Sequence, residues 1–353
     1  MARKKAVKEE TEIKADINKI NRQELIDSLT KVKPGLAQKE IIEQSSHFIF
    51  EEDRIWTYND QIAISQEFKS GLAGAVKADE FYKLLNKLND EELEVSIQDG
   101  QFSIQGKTIT ANIKIDPDIK LQPIQAPGIN SKDWQELPED FTKSIALCIF
   151  SASRNMIRPE LTCLYVTKNT ILSTDSFRAT KKTMLSEVKG DFLIPATSAK
   201  ELTKYNVYKI YTEDKGWLHF TNKEHTMFSC RTFADVKYPE KIWDFFDVKG
   251  EEIKLPENFE SVIDRVSTLV TADFDLDRFV DLSIKGNNLI CSGKGPHGSV
   301  SEKIGVDYSG EAISVKVHPQ FLAEIVKQLN SVTIGERLLF QGENFEHAVC
   351  LSS

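Results

Sequence analysis

The chain has 353 residues, 40% hydrophobic and 28% charged, with a formal net charge of −9. That length suits two or three globular domains, and the acidic total excludes a simple basic nucleic-acid-binding domain unless positive charge is confined to one surface. No run reaches the ~20 apolar residues that a membrane span needs.

Residues 1–17 ("MARKKAVKEETEIKAD" and the next residue) contain no apolar core, so a solvated, mobile arm is expected there and not a secretory signal. "INRQELIDSLTKV" then sets Leu25, Ile26, Leu29 and Val32 at helical spacing. "SSHFIFEEDRIWTYND" reads as a strand pair, "AVKADEFYKLLNKL" as a strand residue, Val76, followed by a helix anchored eight positions on by Leu84, and "ELEVSIQDGQFSIQGKTITANIKI" as hairpins. A Pro- and Gly-containing linker, 116–133, follows.

The pattern then starts again. "LPEDF" (137–141) opens a helix with Phe141, Ile145, Cys148, Ile149 and Ala152 on one face, and "LPENF" (255–259) opens another with Phe259, Val262, Ile263, Val266 and Val270. Their offset is 118 positions (255 − 137), and the first helix starts about 116 before the middle one. A second anchor repeats with it: Val76/Leu84, Ile194/Leu202 and Val317/Ile325 are offset by 118 (194 − 76) and 123 (317 − 194). Each unit therefore reads helix, strands, helix, strands. The expectation is an α+β protein of three repeated domains, 18–117, 134–246 and 254–353, each with two helices on antiparallel sheets.

Helical wheels at about 100° per residue turn Lys31, Lys143, Arg154 and Arg265 on the first-type helices away from the apolar stripe. On the second-type helices they do the same for Lys83, Lys87, Lys200, Lys204 and Lys327. A basic outward face recurring in all three units, on an acidic protein, suits sequence-independent phosphate contact.

Other signals carry less. Five cysteines, an odd number without C-x-x-C, fit buried reduced thiols of a cytosolic protein. "GKGPHG" (293–298) matches G-x-G-x-x-G, but a strand-like stretch follows where a dinucleotide site needs a helix, so a hairpin loop is expected. "DFDLDRFVD" (273–281) lacks the turn glycine and the final Glu of a calcium loop. Six scattered histidines show no acid–base partner. No catalytic residue, metal site or cofactor is assigned, and an enzyme of unrecognised class is the remote alternative.

Several stretches resemble the bacterial β sliding clamp family, the processivity subunits of replicative DNA polymerase. "ILSTDSFRATKKTM" (171–184) is similar to the family's Thr-Asp-Gly-His-Arg signature, keeping Thr174, Asp175 and Arg178 but carrying Ser176 and Phe177. "FLIPATSAKEL", "CRTFADVKYPE" and "VDYSGEAISVKVHPQFLAEIV" are similar to further family stretches. The resemblance covers residue 18 to the end and is strongest over 137–353.

It implies a head-to-tail homodimeric ring around duplex DNA, helices lining the hole, cytoplasmic, non-enzymatic, and serving polymerase, clamp loader and repair proteins. It implies a pocket for their short peptides, carried over to Leu161, Thr174, Ser176, Phe177, Arg178, Ala179, Pro239, Ile242, Val349 and Leu351. At the dimer seam it implies the region 105–113, with Lys107 and Ile109, against Leu269, Val270 and Glu302. Phe177 in place of a histidine, the short polar tail "AVCLSS" and the thinned acidic seam depart from the family. They motivate the alternative of a clamp-fold peptide adaptor that forms no stable ring.

Overall fold

The computed structural model describes residues 17–98, 100–213, 216–233, 235–274 and 277–352. All but the last residue of the expected N-terminal arm lies outside them. The chain divides into two compact units, Met1–Ile129 with His219–Cys230, and Asn130–Leu218 with Arg231–Ser353. Residues 219–230, which the sequence reading places in the middle repeat, group with the first unit because 226–230 pairs antiparallel with strand Ile62–Glu67.

In the first unit, helices α1 (Arg22–Val32) and α2 (Ala78–Lys87) pack together on antiparallel strands. The Asn21 side chain caps α1 by accepting from the amides of Gln23 and Glu24, satisfying donors that a helix start leaves open. Phe48, Phe50, Phe81 and Phe102 form the aromatic centre of this core, Phe81 and Phe102 edge-to-face at 5.3 Å between centroids. The buried face of α2 runs Ala78, Phe81 and Leu85, with Leu84 only half-buried. The expected anchor is thus corrected by one residue, because positions 78, 81 and 85 share one side of a 3.6-residue helix and 84 does not.

The second unit holds α3 (Phe141–Cys148), α4 (Ala196–Leu202), α5 (Phe259–Ser267) and α6 (Pro319–Ile325), with α3 packed on α4 and α5 on α6. The two matching pentapeptides fold alike. Phe141 donates to the Pro138 carbonyl at 2.9 Å and Phe259 to that of Pro256 at 3.0 Å. Asp140 (φ −90°, ψ 5°) and Asn258 (φ −85°, ψ 6°) precede the helices with nearly the same backbone, and each Phe is fully buried.

An eight-stranded antiparallel sheet spans the middle and last repeats: strand Arg178–Thr183 pairs with Phe345–Cys350, opposing Arg178 to Val349 and Ala179 to Ala348. Side chains alternate across a sheet, so Arg178 and Val349 project from one face and Thr174, Ala179 and Ala348 from the other. The short helical segment Glu240–Phe246 covers that second face, and Tyr238, Ile242 and Phe246 pack with Ala179, Ala348 and Leu339.

A four-stranded sheet completes the last repeat, and its edge is Gly298–Gly305. "GKGPHG" is the hairpin joining that strand to Asn288–Gly295, with Gly295 paired to Gly298. A Cβ on Gly293 would lie 2.5 Å from the Val266 carbonyl oxygen, and one on Gly295 2.1 Å from that of Leu269. These glycines therefore admit the end of α5 against the strand, a packing role and not a phosphate cradle.

Candidate functional site

A cleft of about 570 Å³ lies in the second unit. Helix α3 ends at Cys148, and after a 3-10 turn Ala152 is extended. Residues 152–155, Ile157, Arg158 and Leu161 form one wall of the cleft, the turn 175–178 a second, and Gln320 and Phe321 of α6 a third. Leu161 is buried and Phe321 nearly so, whereas Ile157 is 84% exposed, Met156 62% and Phe177 43%.

A smaller hollow of about 390 Å³ adjoins it, lined by Leu351, Cys350, Phe279 and His318. Phe177 and Phe321 belong to both and stand as the partition. Phe177 is held by its backbone: its N–H donates to Asp175 Oδ1 at 3.0 Å, and its carbonyl accepts from Cys350 N at 2.8 Å. Ser176 before it has φ 80°, a left-handed conformation that tightens the turn.

Arg178 ties the floor together. It is buried, donates from Nε to Asp175 Oδ2 at 2.9 Å and from Nη2 to the Phe150 carbonyl at 2.6 Å, and pairs through Nη1 with Glu324. Its guanidinium lies 4.5 Å from the Phe321 ring centroid. Beneath runs a hydrogen-bonded chain from Ser151 Oγ to Thr180 Oγ1 (2.5 Å) and on to His347 Nδ1 (2.8 Å). Burial, with the positive Arg178 nearby, pushes the His347 pKa down to about 3. All three residues of this chain are fully buried, so it braces the sheet and offers no group to a substrate.

The expected pocket residues separate into three groups. Leu161, Ser176, Phe177 and Arg178 line the cleft, and Leu351 joins Phe177 in the adjoining hollow. Ala179 and Ile242 meet in an apolar cluster on the opposite sheet face, where Thr174 also projects, and none of the three lines the cleft or the hollow. Pro239 caps the segment that closes that cluster. Val349 is fully buried in the core of the last repeat. Missed in the sequence were Phe321, Gln320, Asp175 and the loop residues Ile157 and Arg158. The loop carried a signal, an apolar pair between arginines just where the helical period fades.

The expected basic face is uneven. Lys83, Lys87, Lys143 and Lys200 are exposed and free of ion pairs among the described residues. Lys31 pairs with Glu224 at 2.6 Å, Lys204 with Glu201 at 2.6 Å, Arg265 with Glu302, and Lys327 lies 3.8 Å from Glu260. Arg154 is corrected: α3 stops six residues before it, so it stands on the cleft loop and not on a helix face.

At the expected seam, Lys107 is exposed and Ile109 half-buried in a turn, Leu269 is half-buried, and Val270 packs in the core of the last repeat at 3% exposure. Glu302 lies on the edge strand Gly298–Gly305. In the first unit, strand Thr110–Asp116 meets Gly74–Lys77 only through Ile115 and Asp116, so 110–114 has one paired side among the described residues.

No protein-family model matches the chain, and no curated protein matches its sequence. Solved structures do. The DnaN sliding clamp (DNA polymerase III subunit beta) of Bartonella birtlesii, bound to griselimycin, is similar at a TM-score of 0.84 and 18% identity, over 96% of this chain and 100% of that one. The beta subunit from DNA polymerase of Streptococcus pyogenes gives 0.84 at 19%, over 96% and 100%. The DNA polymerase sliding clamp of Bacillus subtilis gives 0.81 at 20%, over 96% and 99%. The chain therefore has the fold of the DNA polymerase III beta sliding clamps across nearly its whole length: α+β, with repeated two-helix clamp domains.

Proposed function

We propose that this protein is a DNA sliding clamp: two copies joined head to tail into a ring around duplex DNA, tethering a replicative polymerase and docking the peptides of polymerase, clamp loader and repair partners. The reading is of a cytoplasmic accessory subunit without catalysis of its own, built from clamp domains 18–117, 134–246 and 254–353. The observation that carries it is the recurrence, on a clamp fold, of unpaired lysines on outward helix faces: Lys83 and Lys87 on α2, Lys143 on α3, Lys200 on α4. Such charges neutralise phosphates without reading bases, as a sliding contact requires.

Two strand edges that are free among the described residues, 110–114 and Gly298–Gly305, support the seam, since unpaired edges are templates for strand addition. Pairing one edge with the other is a heterologous contact, which closes when the rotation between copies permits. The cleft at Leu161 and the hollow at Leu351 support peptide docking, being concave, lined in part by apolar side chains and next to a backbone-fixed Phe177. The test is retention on DNA. A ring stays on nicked circular DNA and leaves once the circle is cut; equal loss from both forms would refute it.

A further inference from the structure

The face of the four-stranded sheet turned away from α5 and α6 is basic. Its strands lie in the order Gly298–Gly305, Asn288–Gly295, Val280–Lys285, Ile313–Val317. Side chains alternate across a sheet, and one set is settled by its contacts. Leu282, Ile284, Leu289, Cys291 and Val317 pack in the core of the last repeat, and Glu302 turns the same way to meet Arg265 on α5. The other set carries Lys285, Lys294, Lys303 and Lys316 against one acid within the four strands, Asp281. That is a net charge of +3 (4 − 1) on a chain whose total is −9. Lys285, Lys294 and Lys303 are exposed and have no ion pair or side-chain hydrogen bond among the described residues.

The register sets these lysines around a hydroxyl-bearing centre. Ser292 stands opposite Ser301 and Ser283 opposite Ser314, while Ile290, 39% exposed, stands between Lys303 and Ser283. Same-face neighbours are about 4.8 Å apart across strands and about 6.7 Å along one, so the lysines frame a patch of about 15 by 20 Å.

We propose that this face is a second nucleic-acid contact, taking the phosphate backbone of duplex DNA that lies outside the ring. It goes beyond the clamp reading, which sets duplex DNA against the helices. Composition and charge select the occupant. Lysine ammoniums and serine hydroxyls are the donors that backbone contacts use. A duplex presents a phosphate about every 3.4 Å along each strand, so a patch of this size meets several at once without reading a base. The four strands place no aromatic side chain on the face, so the bases of a single strand have nothing to stack on. A folded protein partner needs apolar or aromatic anchors, and lysine and serine are depleted at such interfaces; Ile290 alone supplies none of that weight.

The test uses covalently closed circular duplex, which a closed ring cannot thread unaided, so that binding reports the outside of the protein. The full chain is titrated against it by filter binding from about 50 to about 200 mM salt. Lys285→Ala, Lys294→Ala and Lys303→Ala combined should weaken binding about tenfold or more at low salt and flatten the slope of log K against log salt by about one per lysine. The variant's mass in sedimentation equilibrium should equal that of the unaltered chain. Lys143→Glu with Lys200→Glu should leave binding to the closed circle unchanged. No loss in the alanine variant, or an equal loss in the Lys143 and Lys200 variant, would overturn the proposal. Binding to phosphatidylserine vesicles but not to the circle, or tighter binding to polyglutamate than to the circle, would assign the face to a membrane or an acidic protein and overturn it likewise. A one-chain mass for both proteins would sink the ring without deciding this contact, which the alanine variant still decides.

Discussion

Arg265 and Glu302 form a two-pronged ion pair, Nη2 to Oε1 at 2.6 Å and Nε to Oε2 at 2.9 Å, which ties the outward face of α5 to the edge strand Gly298–Gly305. The arginine's bonds hold the Glu302 carboxyl below the usual carboxylate range. From sequence, one residue belongs to the DNA-facing set and the other to the subunit seam. Their pairing means that Arg265 reaches phosphate only by giving up a bidentate partner. Arg265→Ala should therefore leave DNA binding nearly unchanged. Glu302→Gln should steepen the dependence of log K on log salt by about one. The check is a filter-binding series between 50 and 200 mM salt, and a large loss in R265A would contradict it.

The unpaired lysines should behave differently from the paired ones. Lys143→Glu and Lys200→Glu should each lower DNA affinity and flatten the salt slope by about one per residue. Lys204→Ala, which removes a cation already held by Glu201, should do less. Equal effects across all three would show that the ion pairs of the isolated chain do not persist on DNA.

The division of the expected pocket residues between two sheet faces makes a separate prediction. Ile242→Ala opens a void in a closed cluster and should cost about 2–4 kcal/mol of stability, with peptide affinity unchanged wherever the protein remains folded. Leu351→Ala lines a hollow and is half-buried, so it should weaken apolar-peptide binding with a smaller cost in stability. Isothermal titration beside urea denaturation separates the two effects.

His347 gives a pH dependence of known sign. Its folded pKa, about 3, lies below the ordinary value of 6.5, so the unfolded chain takes up a proton that the folded chain refuses. Stability is full above about pH 6.5 and falls as the pH drops from there toward 3. Between pH 7 and pH 5 the loss should be about 2 kcal/mol. His347→Gln should abolish that part of the slope, read from amide exchange in strand Phe345–Cys350 at the two pH values.

Much of the architecture was legible because it repeats. Phe141 and Phe259 announce the same helix entry, and Val76, Ile194 and Val317 the same strand-to-helix step, all fully buried. What periodicity could not reveal was where a period stops. Ala152 continues the apolar spacing of α3 on paper, yet the helix ends at Cys148, so a helical wheel does not apply to Arg154. Leu84 and Leu85 are equivalent hydrophobes in sequence, and only the helix start at Ala78 decides which is inside. Within the site, Ala179 and Arg178 are adjacent in sequence but lie on opposite sheet faces, so a residue-by-residue resemblance gathers them while the pleat separates them. Phe321 reaches the cleft by tertiary packing alone, without a local sequence signal.

Assembly is the most direct test of a ring. Sedimentation equilibrium of the full chain, across concentrations from 0.1 to 10 μM as an order-of-magnitude range for a stable interface, should give about twice the 40.0 kDa chain mass. The same dimer should remain on nicked circular DNA and be shed when the circle is linearised. A concentration-independent mass of one chain, with no difference between circular and linear DNA, would contradict the clamp.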